Sequence, residues 1–203
     1  MQAMDSYRKF PKQARAKATV DAILEAAARI LQADGAVAAN TNAIARIAGV
    51  SIGTLYQYFP DKNAILIALA RQELALTGKA VSARMVGTTQ PAELVDPLRE
   101  SIRALIQGFQ GRLRTRKALI EALIANGLTD ELTRPVDLAM GEILTNRPQS
   151  AAGAQELRPV TVYVLTRAIV GAIRSAVMEE SPHLGTQEFE DELVRLAHGL
   201  LGY

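Results

Sequence analysis

The side chains best placed to do chemistry in this 203-residue chain lie between residues 40 and 62. Most are hydroxyls and amides, with one lysine, and carboxylates are absent from the outward positions of the segment that holds most of them. Such groups suit hydrogen bonding to phosphates and base edges better than bond-breaking chemistry. The set is Asn40, Thr41, Asn42, Ser51, Ile52, Gly53, Thr54, Tyr56, Gln57 and Lys62. We interpret it as a candidate DNA-contacting surface.

Groups typical of catalysis and metal binding are scarce. The chain has no cysteine, and its two histidines, His183 and His198, lack a histidine or cysteine neighbour at metal-ligand spacing. No glycine-rich phosphate loop and no nucleophile motif occurs. The paired carboxylates at 130–131 and 179–180 fall at predicted helix ends, where solvation or dipole compensation explains them. We predict no enzyme activity, no cofactor and no metal.

Two short predicted helices joined by a tight turn position the candidate surface. Ala45 falls where the helices cross closely, and Gly49 supplies the positive φ expected where the first helix ends. Ser51 is a good N-cap for the second helix. This is the helix-turn-helix pattern, whose second helix enters the major groove of DNA. A buried helical hairpin is the alternative, and the outward positions of the second helix favour DNA reading.

Individual roles follow from position. Asn40 or Thr41 caps the first of the two helices, and either residue, or Asn42, is as consistent with capping alone as with holding a phosphate. The Tyr56 hydroxyl points outward and is assigned to a phosphate. Gln57 is assigned to base edges, which carry the sequence information.

The stretch from Thr19 through Leu66, with the core GVSIGTLYQYFPDK, resembles the DNA-binding domain of the TetR family of transcriptional regulators. The resemblance includes the helix before the motif, the Leu-Tyr-x-Tyr-Phe segment and the lysine after the turn. It implies an all-α fold of about nine helices, with a DNA-binding domain at 1–61 and a helical effector-binding and dimerisation domain at 62–203. It also implies that Lys62 contacts the DNA backbone.

Composition and charge agree with a helical nucleic-acid binder. Hydrophobic residues make up 49% of the chain and aromatic residues 4%, which favours helices over sheets. Residues 1–17 carry five basic side chains and one acidic one, a local charge of +4 in a chain whose net charge is +2. Such an arm attracts phosphates, although a disordered, solubilising tail is the alternative, and for Tyr7 to Phe10 it is an equal one.

The apolar run from Val160 to Met178 is interrupted by Arg167 and Arg174, which argues against a membrane span. No signal peptide is evident at the N-terminus, and the absence of cysteine is consistent with a reducing compartment. We therefore expect a cytoplasmic protein that does not bind membranes.

The last two predicted helices carry the features of an association surface. One has a stripe of small residues, and the other repeats large apolar residues at helical spacing. The candidate interface consists of Ala168, Gly171, Ala172, Ser175, Phe189, Leu193, Leu196 and Leu200. Two helices from each of two chains make a four-helix bundle, although these helices could instead fill only their own core. The resemblance implies a homodimer, whose paired reading helices suit palindromic half-sites about 34–36 Å apart.

The resemblance further implies an apolar effector cavity in the larger domain. Candidate lining residues are Phe109, Met140, Tyr163 and Arg167, each of which also fits an ordinary core position. Aromatic residues are too few there for a cage around a bulky organic cation. We expect an effector that is neutral and apolar, or one whose acidic group meets an arginine.

Together these features predict a dimeric, sequence-specific DNA-binding repressor that a small molecule releases from its operator. One alternative is a regulator of the same build without an effector, controlled by its abundance or by a protein partner. A helical enzyme or carrier with an incidental hairpin is the remaining alternative. DNA binding separates this last class from the first two, and ligand titration separates the first two from each other.

Overall fold

The computed structural model describes residues 14–85, 95–146 and 158–202 of the chain. The regular elements in these ranges are all helical, which confirms the all-α prediction. They are α1 (Ala14–Ala38), α2 (Thr41–Ala48), α3 (Ile52–Tyr58), α4 (Lys62–Met85), α5 (Val95–Gln110), α6 (Leu113–Ala125), a 3₁₀ turn (Thr129–Leu132), α7 (Arg134–Asn146), α8 (Pro159–Met178) and α9 (Gln187–Leu201). Most of the basic arm, including Arg8, Lys9 and Lys12, lies outside the described residues.

Two compact units account for these helices. The head unit contains Met1–Gln72 and Arg112–Leu128, so α6 belongs with the N-terminal helices. The bundle unit contains Glu73–Gly111 and Thr129–Tyr203. α4 contributes residues to both units. The sequence-based boundary after residue 61 stays a prediction about where each function lies, because it does not coincide with the boundaries of the two compact units.

The head unit is built on α1, whose apolar residues recur at helical spacing and are buried from Val20 to Leu31. Gly35 interrupts the helix with φ 78°. The largest side chains that are fully enclosed in this unit come from five helices and from the residue after α3. They are Ile23, Leu31, Ile44, Leu55, Phe59, Ile65, Ile67, Leu123 and Thr115.

α6 is fixed to α1 by polar contacts as well as by packing. The buried Thr115 hydroxyl donates to the Ala28 carbonyl at 3.1 Å. The Arg112 guanidinium donates two hydrogen bonds to the carboxylate of Glu25, at 2.9 and 3.0 Å. This fork geometry is strong for an arginine–carboxylate pair, and the hydrogen bond from Arg112 lowers the pKa of Glu25. Further along α6, Arg114 donates to the Ala33 carbonyl at 3.2 Å.

The bundle unit packs α5, α7, α8 and α9 around a core that includes Ile102, Ile173 and Val177. α5 and α9 are joined by an ionic network centred on Glu190, whose carboxylate accepts hydrogen bonds from Arg103 at 2.8 and 2.9 Å and from Arg99 at 2.9 Å. The hydrogen bond from Arg103 is the largest cause of the lowered pKa of Glu190.

Among the described helices, α8 alone has the length and composition to cross a membrane. Buried core helices pass the same test, so the property is weak support for a span. The buried residues of α8, from Leu165 to Val177, pack in the bundle unit against α5, α7 and α9.

Candidate nucleic-acid interface

The turn between α2 and α3 is held by local hydrogen bonds. The Asn40 side-chain oxygen accepts from the Ala43 amide at 2.9 Å and thereby caps α2. At the other end, Gly49 adopts the left-handed conformation with φ 70°, and the amide of Val50 donates to the Ala45 carbonyl at 3.0 Å. The sequence predictions of a cap near Asn40 and of positive φ at Gly49 are confirmed.

α3 begins at a second cap. The Ser51 hydroxyl accepts from the Thr54 amide at 3.0 Å and shares a hydrogen bond of 2.8 Å with the Thr54 hydroxyl. Leu55, on the inner side of α3, is fully buried, as is Ile44 of α2. Because one side of so short a helix is anchored, its opposite side is presented in a fixed orientation.

The outward side of α3 carries no charged residue. Ser51, Ile52, Gly53 and Gln57 are exposed, and Ile52 retains 39% of its accessible surface. The Gln57 amide makes no hydrogen bond within the described part of the chain, so both its donor and its acceptor are available. A glutamine of this kind can pair with the N6 and N7 atoms of adenine, and an apolar side chain can contact a thymine methyl group.

Tyr56 and Thr41 form a hydroxyl pair that links α3 to the first turn of α2. Their oxygens lie 3.2 Å apart, and either can be the donor. Whichever hydroxyl donates, the other keeps its own proton for an outside acceptor. The pair therefore has the hydrogen-bonding capacity that a phosphate oxygen needs.

The three polar residues at the start of α2 differ in what they have available. Asn40 uses its oxygen as the cap and its amide nitrogen on the Ala38 carbonyl at 3.3 Å, which favours capping for this residue. Thr41 belongs to the hydroxyl pair, and Asn42 is exposed. Arg46 is also exposed and, four residues after Asn42, shares its face of the helix. It joins the candidate phosphate contacts, although it was not predicted from the sequence.

Lys62 has a structural partner that was not predicted. Its ammonium donates to the Ala36 carbonyl at 2.6 Å, which ties the start of α4 to the chain just after the Gly35 break. The Asp61 carboxylate accepts from the Ala64 amide at 2.8 Å and thereby caps α4. An ammonium has three donors, so the bond to Ala36 is compatible with a phosphate contact by Lys62, which stays a prediction.

The four predicted effector residues do not line one cavity of the bundle unit. Met140 lines a small cavity, whereas Phe109 is buried in the core and is not among the lining residues. Tyr163 retains 59% of its accessible surface. Arg167 stacks on the Tyr163 ring at 4.4 Å and donates to the Asp137 carboxylate at 2.5 Å. The structure therefore places Phe109, Tyr163 and Arg167 outside the lining of this cavity.

The predicted dimer residues also divide into two groups. Leu193 is buried in the bundle unit and is a core residue of its own chain, which corrects its assignment to the interface. The others keep accessible surface on α8 and α9: Ala168, Gly171, Ala172, Ser175, Phe189, Leu196 and Leu200. Beside them, Val160, Tyr163 and Val164 are exposed on α8.

Comparison with known proteins agrees with this geometry. Residues 23–69 match the family described as bacterial regulatory proteins, tetR family. The HTH-type transcriptional regulator BetI of Pseudomonas aeruginosa is 37% identical over 89 residues, which are 44% of this chain and 41% of BetI. The chain thus spans about two fifths of the length of the curated relatives that it matches.

The fold is also shared with solved structures over most of the chain. A TetR transcriptional regulator from Rhodococcus sp. RHA1 is 20% identical, with a TM-score of 0.64 that covers 92% of this chain and 97% of the other. The multidrug binding protein EbrR, in complex with ethidium, is 19% identical, with a TM-score of 0.64 over 90% and 97%.

These matches confirm the resemblance to the TetR family and the presence of its DNA-binding helix-turn-helix. The curated relatives that the chain matches are named as transcriptional regulators, and the prediction that this chain is not an enzyme stays a prediction.

Proposed function

We propose that this chain is a cytoplasmic, homodimeric repressor that binds a palindromic operator and is released from it by a small molecule. The observation that carries the proposal is the outward side of α3. It is uncharged and exposed, and the Ser51 cap and the buried Leu55 hold it in a fixed orientation. Rigid presentation of a few hydrogen-bonding side chains is what recognition of base edges in the major groove requires.

Base recognition and backbone recognition fall to different residues in this proposal. Gln57 and Ile52 face the bases, because one offers a bidentate amide and the other an apolar contact for a thymine methyl group. Thr41, Asn42 and Tyr56 face the phosphates, because they lie at the start of α2 or are linked to it. Phosphate contacts fix register and orientation but carry no sequence information directly.

Dimerisation is supported by the apolar surface on α8 and α9. Val160, Tyr163 and Val164 of α8 and Leu196 of α9 are exposed in the single chain. Grouped exposed apolar residues of this kind mark interaction sites. Further along α8, a side chain added at Gly171 would meet nothing within 4 Å in its own chain. Two copies joined here would present two α3 helices to two half-sites.

Release by a ligand requires that the ligand bind one arrangement of the protein more tightly than the arrangement that binds DNA. A related fold, that of EbrR, has been solved with ethidium bound. The continuous α4 starts at Lys62 in the head unit and runs to Met85, so a change in the bundle unit has a helix through which to act.

A gel-shift titration on the DNA that flanks the chain's own gene tests the proposal. The purified protein is expected to bind one region at nanomolar concentration and to leave a scrambled duplex of equal length unbound at the same salt concentration. A Gln57→Ala, Tyr56→Phe double variant serves as the control for specific binding. Equal binding to all duplexes would contradict sequence-specific regulation.

The alternative is the same regulator without an effector. In the described structure the apolar cavity that Met140 lines holds about 30 Å³ of free space, enough for a water-sized molecule. If no small molecule releases the operator complex while changes in protein concentration do, control by abundance or by a protein partner replaces control by a ligand.

A further inference from the structure

The cavity of the bundle unit that Met140 lines has an unusual polar feature in an otherwise apolar wall. It lies between α4, α5, α7 and α8, and most of its lining is aliphatic. The lining residues are Val81, Leu98, Ser101, Ile102, Leu105, Val136, Met140, Leu165, Thr166 and Ile169. Two of them, Ser101 and Thr166, carry a hydroxyl group.

The two hydroxyls are in different states. Thr166 donates to the carbonyl of Val162, one turn earlier on α8, at 2.9 Å, which is the usual partner for a hydroxyl inside a helix. Ser101 is 4% exposed, and its hydroxyl is buried without a hydrogen-bond partner in the described part of the chain. A buried polar group without a partner lowers stability, so such groups are rare and call for an explanation.

A single water would have few partners beside Ser101. A buried water is stable when it has two to four polar partners. In this cavity the one other hydroxyl among the lining residues, that of Thr166, donates its proton to Val162 and can only accept, so a water between the two hydroxyls would have two side-chain partners, the low end of this range. A molecule that brings its own apolar body and a single hydrogen-bonding group fits the lining better than water does.

The lining residues also indicate the charge of the ligand. None of the lining residues is ionisable, so a charged ligand would lose hydration without gaining a counter-charge from them. Arg167, the residue that would have met an acidic ligand, is held by Asp137 and Tyr163 instead. The neutral member of the two effector classes expected from the sequence is therefore favoured.

We propose that this cavity is the effector site and that it takes an uncharged, largely apolar molecule whose one polar group hydrogen-bonds to the Ser101 hydroxyl. The assignment deepens the proposed ligand-controlled regulator and rests on it for its biological meaning. Sites for small molecules occupy roughly 300–1,000 Å³, so the cavity must open on binding. Met140 is the side chain suited to move, because it is half-exposed and its unbranched thioether adapts its shape.

The test uses the purified full chain and three sets of probes of equal chain length. These are the unbranched primary alcohols of six to ten carbons, the corresponding carboxylates and the corresponding alkylammonium ions. Dissociation constants are measured by calorimetry, with thermal melting as a second readout. We expect the alcohols to bind and to raise the melting temperature, and the two charged series to bind at least about tenfold more weakly.

Ser101→Ala isolates the hydrogen bond. In this variant the affinity for the alcohols should fall about five- to tenfold, while the melting temperature without ligand stays the same or rises, because the orphan hydroxyl is gone. Ser82→Ala on α4 is the matched control, since Ser82 does not line the cavity and belongs to neither the candidate DNA-contacting surface nor the candidate dimer interface. Its alcohol affinity should equal that of the unmodified chain.

Three results would overturn the assignment: no alcohol binds, a charged series binds more tightly, or Ser101→Ala binds the alcohols as the unmodified chain does. Operator binding is measured separately on the same preparations. A chain that binds alcohols through Ser101 but no operator would retain the cavity assignment and lose the proposed function. A chain that binds its operator but fails with the alcohols would lose only the ligand assignment.

Discussion

Each unit contains a serine at its candidate site, and the hydroxyl groups of the two serines are in opposite states. Ser51 in the head unit is exposed, and its hydroxyl is occupied by the amide and the hydroxyl of Thr54. Ser101 in the bundle unit is buried, and its hydroxyl has no partner among the described residues. The hydrogen bonds of Ser51 fix α3 before DNA binds, whereas the Ser101 hydroxyl remains without a hydrogen bond until a ligand binds. A surface for a rigid duplex benefits from being fixed in advance, and a ligand site benefits from a polar group that only the ligand satisfies.

Of the variants considered, Phe59→Ala should lower the stability of the head unit the most. Its ring is fully buried at the end of α3, so Phe59→Ala leaves a cavity and should cost about 3–5 kcal/mol of unfolding free energy. Denaturant unfolding measures this change, and gel shift should show weaker DNA binding. Phe59→Leu is the control, with a smaller cost. Equal stability of Phe59→Ala and the unmodified chain would show that α3 is not anchored there.

Affinities measured for a series of operator variants should distinguish residues that contact bases from residues that contact phosphates. Gln57→Ala should remove about 1–3 kcal/mol of discrimination at one base pair in each half-site. Tyr56→Phe should instead weaken binding by a similar factor on every sequence, because it removes only a hydroxyl of the Tyr56–Thr41 pair. Fluorescence anisotropy at fixed salt measures both. A uniform reduction of affinity for Gln57→Ala would remove this residue from the base-reading group.

Lys62→Ala tests whether this lysine acts on structure, on DNA or on both. Removal of its hydrogen bond to the Ala36 carbonyl should cost about 1–2 kcal/mol of stability, the range for hydrogen bonds to charged groups, reduced for partial exposure. If Lys62 also neutralises a phosphate, the slope of log affinity against log salt should become shallower by about one unit for each Lys62 side chain bound to the duplex. Lower stability with an unchanged slope would restrict Lys62 to its structural role.

The Glu190 network gives the bundle unit a pH dependence. Its hydrogen bonds lower the pKa of Glu190 in the folded chain below the ordinary value of 4.5. The resulting stability is fully present above 4.5 and is lost as pH falls through the lowered folded pKa. Melting temperatures of the unmodified chain and Glu190→Gln should therefore differ at neutral pH and converge in acid. A difference that is constant with pH would exclude the ionised carboxylate as its source.

The smallest predicted effect is at Gly53. A Cβ added there would meet only the Ser51 hydroxyl oxygen at 3.8 Å, an ordinary contact. Gly53→Ala should therefore raise the unfolding free energy by up to about 0.5–1 kcal/mol through helix propensity. If a phosphate or a base edge approaches this glycine, the same change should weaken DNA binding. Unchanged binding would mean that the duplex does not approach α3 at Gly53.

Local features of the fold were predictable from the sequence, whereas contacts distant in the chain were not. The caps at Ser51 and Asp61 and the break at Gly35 depend on a few neighbouring residues, so side-chain type and spacing determine them. The bond from Lys62 to Ala36 spans 26 positions and is not encoded in any local pattern. The state of Ser101 depends on four helices, and periodicity alone cannot show which helical face meets a cavity.

The candidate site divides in the same way. The outward residues of α3 were identified from their types within a short motif. The effector candidates were chosen for size and chemistry, and three of the four lie elsewhere, because an aromatic or an arginine fits a core or a surface pair as readily as a pocket wall. Leu193 was misassigned for a related reason, since one apolar period serves both an internal core and an interface.

The attachment of α6 to α1 limits how the chain can be divided for engineering. Thr115 and Arg112 each reach back 87 positions to Ala28 and Glu25, so the head unit is discontinuous along the polypeptide. During synthesis this unit lacks one of its helices until the ribosome has passed Leu128. A chimeric regulator made by joining an N-terminal fragment to a foreign C-terminal part would leave Ala28 without its helical neighbour. Grafts that carry α6 together with α1 preserve that neighbour.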